Sequence, residues 1–142
     1  MSEQFVSREQ VSLASAQSLV TEALNHAASL GIAVSVVVTD AAGNIIASAR
    51  MDQAPLGAMR LATDKAYTAS LWQIPSGDLR LSSQPGGDDW GVTSTEGGRV
   101  VVYEGGLPIF AASGLAGAIG VSGGTGAQDA ECGQTAIDKV LG

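Results

Sequence analysis

Between Val34 and Trp72 the hydrophobic period of the chain changes once, and that change restricts the fold more than any other feature of the sequence. Val34 to Thr39 is an apolar, β-branched run suited to a pleated, buried surface. Asp40-Ala41-Ala42-Gly43-Asn44 follows. It is a turn cluster: glycine accepts a positive φ, and Asp and Asn side chains bond to the nearby backbone. A second β-prone run, Ile45 to Ala49, comes at hairpin spacing. Past Pro55 the period moves from two to about 3.6. This predicts a helix from Gly57 to Trp72 with Met59, Ala62, Ala66 and Ala69 on one face. Pro75 closes the segment, because proline disfavours the helical region for the residue before it. One hairpin and one helix thus bring Arg50, Asp52 and Lys65 near a common edge.

Upstream, residues 7–30 read as an amphipathic helix. Ser7 and Gln10 have capping-box spacing. Leu13, Ala16, Val20, Ala23, Leu24, Ala27 and Leu30 form one stripe, and Gly31 suits the position after the helix end. Downstream, Pro75-Ser76-Gly77-Asp78 starts a short turn, and Ser82 to Gly98 is too rich in glycine and polar residues for a regular element. Three strands are expected next, at Arg99–Tyr103, Ile109–Ala112 and Leu115–Val121, and then a helix from Ala127 to Leu141. Short connections between strands imply an antiparallel sheet. The expected class is therefore α+β, a sheet of about five strands with helices packed on it.

The chain has 142 residues, a length that suits one domain. With 45% hydrophobic residues but only 4% aromatic, its core must be built from Val, Ile, Leu, Ala and Gly. A formal net charge of −7 with only seven basic residues argues against a nucleic-acid partner, since phosphate binding needs clustered Lys and Arg. No apolar stretch is long enough to span a bilayer, and the N-terminus lacks the layout of a secretory signal. The lone Cys132 cannot form an intrachain disulfide and fits a reducing compartment. A cytoplasmic protein without membrane contact is expected.

Chemistry-bearing residues are few. His26, the single histidine, lies on the flank of the first helix stripe. It is either a boundary or surface residue, or else an axial haem ligand or an acid/base. Arg50 can clamp a carboxylate, Asp52 can serve as general base, and Lys65 as acid or electrostatic partner. The plain alternatives are an Arg50–Asp52 ion pair at the hairpin end and a solvated Lys65. Gly120 to Gly126 joins a strand to the last helix. Backbone N–H groups of Gly123 and Gly124 there can face a haem propionate or an organic acid. Asp129 and Glu131 in the following turn already satisfy the helix dipole. Asp88, Asp89 and Glu96 do not have the spacing of a known cation loop, so no metal is expected. Cys132 reads as buried and inert.

Several blocks, in order, resemble the GlcG/HbpS-like family. They are Val36-Val37-Val38-Thr39-Asp40 with Gly43, Arg50-Met51-Asp52 with Ala54, and Asp64-Lys65-Ala66-Tyr67-Thr68-Ala69. Gly105-Gly106-Leu107-Pro108-Ile109 and Gly117-Ala118-Ile119-Gly120-Val121-Ser122-Gly123-Gly124 complete the set. The resemblance spans nearly all of residues 1–142. It implies a profilin-like α+β sandwich, a homo-oligomer, and a small-molecule ligand such as haem or a related cofactor. The residues also allow a cofactor-independent isomerase, lyase or hydrolase acting on a small organic acid or carbonyl compound through Arg50, Asp52 and Lys65.

Overall fold

The computed structural model describes residues 4–142. Four strands form one antiparallel sheet in the order β2-β1-β4-β3: β1 is Ser35–Thr39, β2 Ile45–Arg50, β3 Gly106–Ala111 and β4 Gly114–Ser122. Helices α1 (Leu13–Ser29) and α3 (Gly126–Leu141) pack together on one face, and α2 (Ala58–Trp72) covers the other. The architecture is thus the mixed α+β sandwich expected.

The hairpin forms for the local reasons its turn residues suggest. Asp40 Oδ1 accepts the N–H groups of Ala42 and Asn44, both at 2.9 Å, and Gly43 takes φ +84°. Strand alternation then sorts the core in two. Val36, Val38, Ile119 and Val121 join the α1 and α3 residues Leu19, Ala23, Cys132 and Ala136. Val37 and Ala118 point the other way and meet Ala62, Ala66 and Ala69 of α2. The expected apolar face of α2 is therefore its buried face.

That second contact is unusually close. Gly106 and Gly120 are cross-strand partners, and the backbone of α2 lies directly on them. A Cβ at Gly120 would meet the Ala62 carbonyl and come within 2.8 Å of the Ala66 nitrogen, and one at Gly106 would strike the carbonyl group of Lys65. The glycines in these two strands thus serve helix–sheet approach.

Several stretches differ from expectation; β3 starts at Gly106, not at Ile109. The first helix begins at Ser12, whose side chain accepts the Ser15 N–H, not at Ser7. Arg99–Tyr103 is not a strand. It runs over α2, where the Thr68 hydroxyl accepts the Val101 N–H at 3.0 Å and the Ser76 hydroxyl donates to the Tyr103 carbonyl. Side chains satisfy that backbone, so it needs no neighbouring strand. The long 82–98 segment winds through short 3-10 turns, pinned by Val92 against Leu79 and Val100 and by the Tyr67 hydroxyl on Glu96 at 2.9 Å. Among the described residues no helix is long and apolar enough to cross a membrane.

Candidate functional site

The densest chemistry lies where the middle of α2 meets the end of β4 and the start of α3. Lys65 is 2% exposed and shares the buried face of α2 with Ala58, Ala62 and Ala69; the solvated reading is therefore corrected. Its ammonium reaches past the sheet edge and donates to Asp129 Oδ2 at 3.0 Å and to the Val121 carbonyl at 2.9 Å. Asp129, also 2% exposed, accepts the Gly124 N–H on Oδ1 at 2.8 Å. Gly105 makes room for the pair, since a Cβ there would stand 2.9 Å from the Lys65 nitrogen. Burial pushes the Lys65 pKa down, and the Asp129 charge and hydrogen bond, with the Glu104 charge, oppose that fall.

This pair opens on a cleft of about 160 Å³, lined also by Leu61, Arg80, Tyr103, Ser122, Gly124 and Gly126. An ammonium has three N–H groups. Two are committed internally, so one remains for a molecule in the cleft. Ser122 is 4% exposed, and among the described residues its hydroxyl has no hydrogen-bond partner. Arg80 is exposed and pairs with none of the described carboxylates. An adjoining cleft of about 380 Å³ shares Arg80 and adds Asp78 and Glu104.

Other expected residues lie elsewhere. Register places Arg50 opposite Ser35, and Ser35 opposite Ser122. Directly opposed residues share a sheet face, so the three form one row at the same end as Lys65. Arg50 and Asp52 are exposed, make no ion pair among the described residues, and do not line the Lys65 cleft. The Gly124 N–H is occupied by Asp129. Gly123, at φ +143°, lets the strand end pass the start of β1: a Cβ there would stand 2.8 Å from the Val34 Cα.

His26 is on α1, and its Nε2 pairs with Glu131 Oε2 of α3 at 2.5 Å. The imidazole is 22% exposed, and no described group bonds its Nδ1. Cys132 is fully buried, and burial pushes its thiol up to about 11. Among the described residues no group of three His, Cys, Asp or Glu could hold a metal ion. Sequence reasoning missed Asp129 as the partner of Lys65 and missed Arg80 and Ser122 altogether. The only advance signal was the pairing of a Lys-bearing helix with an acidic turn that follows a strand end.

Residues 11–138 match the family model described as haem-degrading protein HbpS-like. The chain belongs to the HbpS-like family. A 15.0 kDa protein from the dhaT–dhaS intergenic region of Citrobacter freundii is 33% identical over 128 residues, 90% of each chain. The crystal structure of Klebsiella pneumoniae ORFY superposes with a TM-score of 0.95 at 29% identity, covering 99% of this chain and 97% of that one. The structure of a PduOC–haem complex superposes with a TM-score of 0.87 at 33% identity, covering 91% and 94%. Within this HbpS-like frame, the Gly-rich strand blocks and the Lys65 helix are the parts that pack most closely.

Proposed function

We propose that this protein binds a small ligand, haem or a related cofactor, as a homo-oligomer, with His26 as the axial donor. The observation that carries the proposal is the likeness to the haem-bound PduOC structure at 33% identity. The chemistry of His26 fits. A metal-bound imidazole commonly gives its second ring N–H to a carboxylate, which fixes the tautomer and raises the basicity of the ligating nitrogen. Glu131 stands at Nε2 in that position and leaves Nδ1 free. Bound there, haem would supply its iron as the centre for ligand or redox chemistry. Glu131 orients the ring, and the α1–α3 packing holds both groups. The ring sits at the surface rather than in a deep pocket, so a second copy of the chain is needed to keep water from the haem.

The test is a haem titration of the apo-protein followed by absorbance. The expected result is a saturable Soret band that His26→Ala removes. A band that His26→Ala leaves unchanged, or no saturable band, would overturn the proposal.

A second reading is favoured by one observation, the buried Lys65 beside an open cleft. In it the protein acts without a cofactor on a small organic acid or carbonyl compound through Arg50, Asp52 and Lys65. Asp52 is exposed and makes no ion pair among the described residues, so Asp52→Asn keeps the fold. Activity of wild type on such compounds, lost in Asp52→Asn, is the expected result. Equal activity in both removes Asp52 as the base.

A further inference from the structure

The Lys65 cleft contains three donors that the fold itself does not use. Each is set there by a different element. Ser122 ends β4, is 4% exposed, and among the described residues has an unpartnered hydroxyl. Its hydroxyl keeps access to solvent, and it lines the cleft. Lys65 comes from α2 with one N–H uncommitted. Arg80 comes from the loop after α2, and no described carboxylate neutralises it. The start of α3 borders the same cleft at Gly126.

The charge balance selects the ligand. Lys65 and Asp129 cancel as a buried pair. Glu104 packs against Gly126 and its charge acts on Lys65, so it offsets part of the Arg80 charge and opposes a polyanion at the cleft. That environment takes one negative charge and disfavours several. At roughly 30 Å³ per water-sized group, the volume of about 160 Å³ admits about five or six heavy atoms.

We infer that this cleft is a binding site for a small monocarboxylic acid, with Arg80 and Ser122 holding the carboxylate and Lys65 donating to the rest of the molecule. Arg80 supplies a planar fork suited to a carboxylate. Ser122 adds a directed hydroxyl from the floor. Lys65 is locked by Asp129 and Val121, so its free N–H is presented without loss of side-chain freedom on binding. The site does not depend on haem. It deepens the small-acid reading, and it moves the carboxylate clamp from Arg50 to Arg80. A propionate of a bound haem presents the same group, and the test separates the two sources.

Isotope-labelled protein is titrated with pyruvate and followed through its backbone amide resonances. Inorganic phosphate serves as the polyanion control. Shifts should centre on Ser122, Gly124 and Gly126 and saturate, and phosphate should give weaker ones. Arg80→Ala should weaken pyruvate binding about ten-fold or more, as loss of a charge-assisted bond does. Ser122→Ala should weaken it about three-fold or more. Neither side chain supports the fold, so both variants remain folded. Arg60→Ala, at an exposed position that lines neither cleft, should bind as wild type.

Absence of localised shifts up to about 50 mM pyruvate, well above the range of a specific site, would overturn the inference. So would shifts that survive both substitutions, or binding lost in Arg50→Ala and kept in Arg80→Ala. Haem binding weakened by Arg80→Ala, with no pyruvate shifts, would assign the donors to a haem propionate and likewise overturn it. Catalytic turnover is not read, so failure of the enzyme reading leaves this result distinguishable.

Discussion

Lys65 and Asp129, 64 residues apart in sequence, form a buried ion pair 3.0 Å long that joins helices on opposite faces of the sheet. The pair closes around the end of β4, where the Val121 carbonyl takes a second Lys65 N–H. Helix α2 is thereby fixed to the turn that starts α3, and the cleft beside them acquires rigid walls. Removing one partner of such a pair leaves the other charged and uncompensated, which costs about 3–5 kcal/mol. Lys65→Met should therefore lower stability by about that amount in urea unfolding. Lys65→Met combined with Asp129→Asn should lose less than the sum of the two single changes, because Asn keeps an acceptor for Gly124 without a charge. Additive losses would show that the pair is not coupled.

The contact between α2 and the sheet gives a sharper contrast. Gly120→Ala should cost about 3 kcal/mol or more, since the new methyl meets helix backbone rather than a side chain that can turn away. Gly57→Ala meets nothing within 4 Å and stands at φ −78°. It should change stability by no more than about 0.5 kcal/mol. Thermal unfolding of the two variants beside wild type checks both expectations.

Ser35 is fully buried, and its hydroxyl finds no partner. The desolvation of that oxygen is an uncompensated cost in the folded state. Ser35→Ala should leave stability unchanged or raise it by about 1 kcal/mol, measured by chemical denaturation. A clear loss would mean that the hydroxyl is satisfied in solution.

Cys132 links stability to alkaline pH. Its thiol is pushed up from an ordinary value of 9.0 to about 11, because burial disfavours the thiolate and Asp129 and Glu131 add negative charge nearby. The unfolded chain therefore releases this proton before the folded chain does. The contribution is fully present below about 9 and is lost as pH rises towards about 11. Across that window the loss should be on the order of 2 kcal/mol. Unfolding midpoints measured from pH 8 upward should fall less steeply in Cys132→Ala than in wild type.

In the proposed haem site, Glu131 would act through His26. Glu131→Ala removes the group that orients the imidazole while leaving Nδ1 in place. Haem affinity should fall about 10-fold to 100-fold, the usual effect of losing the partner of a metal-ligating histidine. Absorbance titration of this variant beside His26→Ala measures it, and unchanged affinity would leave Glu131 as a helix–helix contact only.

Local pattern carried much of the fold. The hairpin turn, the Ala face of α2 and the strand that became β4 were all legible, because each depends on periodicity or on side chains bonding to their own backbone. Arg99–Tyr103 was not. Its β-prone composition suits a strand, but Thr68 and Ser76 reach it first and satisfy its polar groups. Helix spacing sets Lys65 beside Ala62 and Ala69, but a lysine there reads as solvated until its distant partners are known. Its burial follows from an acceptor carbonyl and a carboxylate that the chain supplies 56 and 64 residues later.

The sequence by itself determined the class of fold, the order of most elements and the small-residue core, since those follow from hydrophobic period and turn chemistry read locally. Only the tertiary structure decided which charges meet. It set Lys65 on Asp129 and His26 on Glu131, left Arg50 and Asp52 in solvent, and brought Arg80 and Ser122 to one cleft. Such pairings depend on sheet order and helix placement, and these are fixed by contacts between segments far apart in the chain.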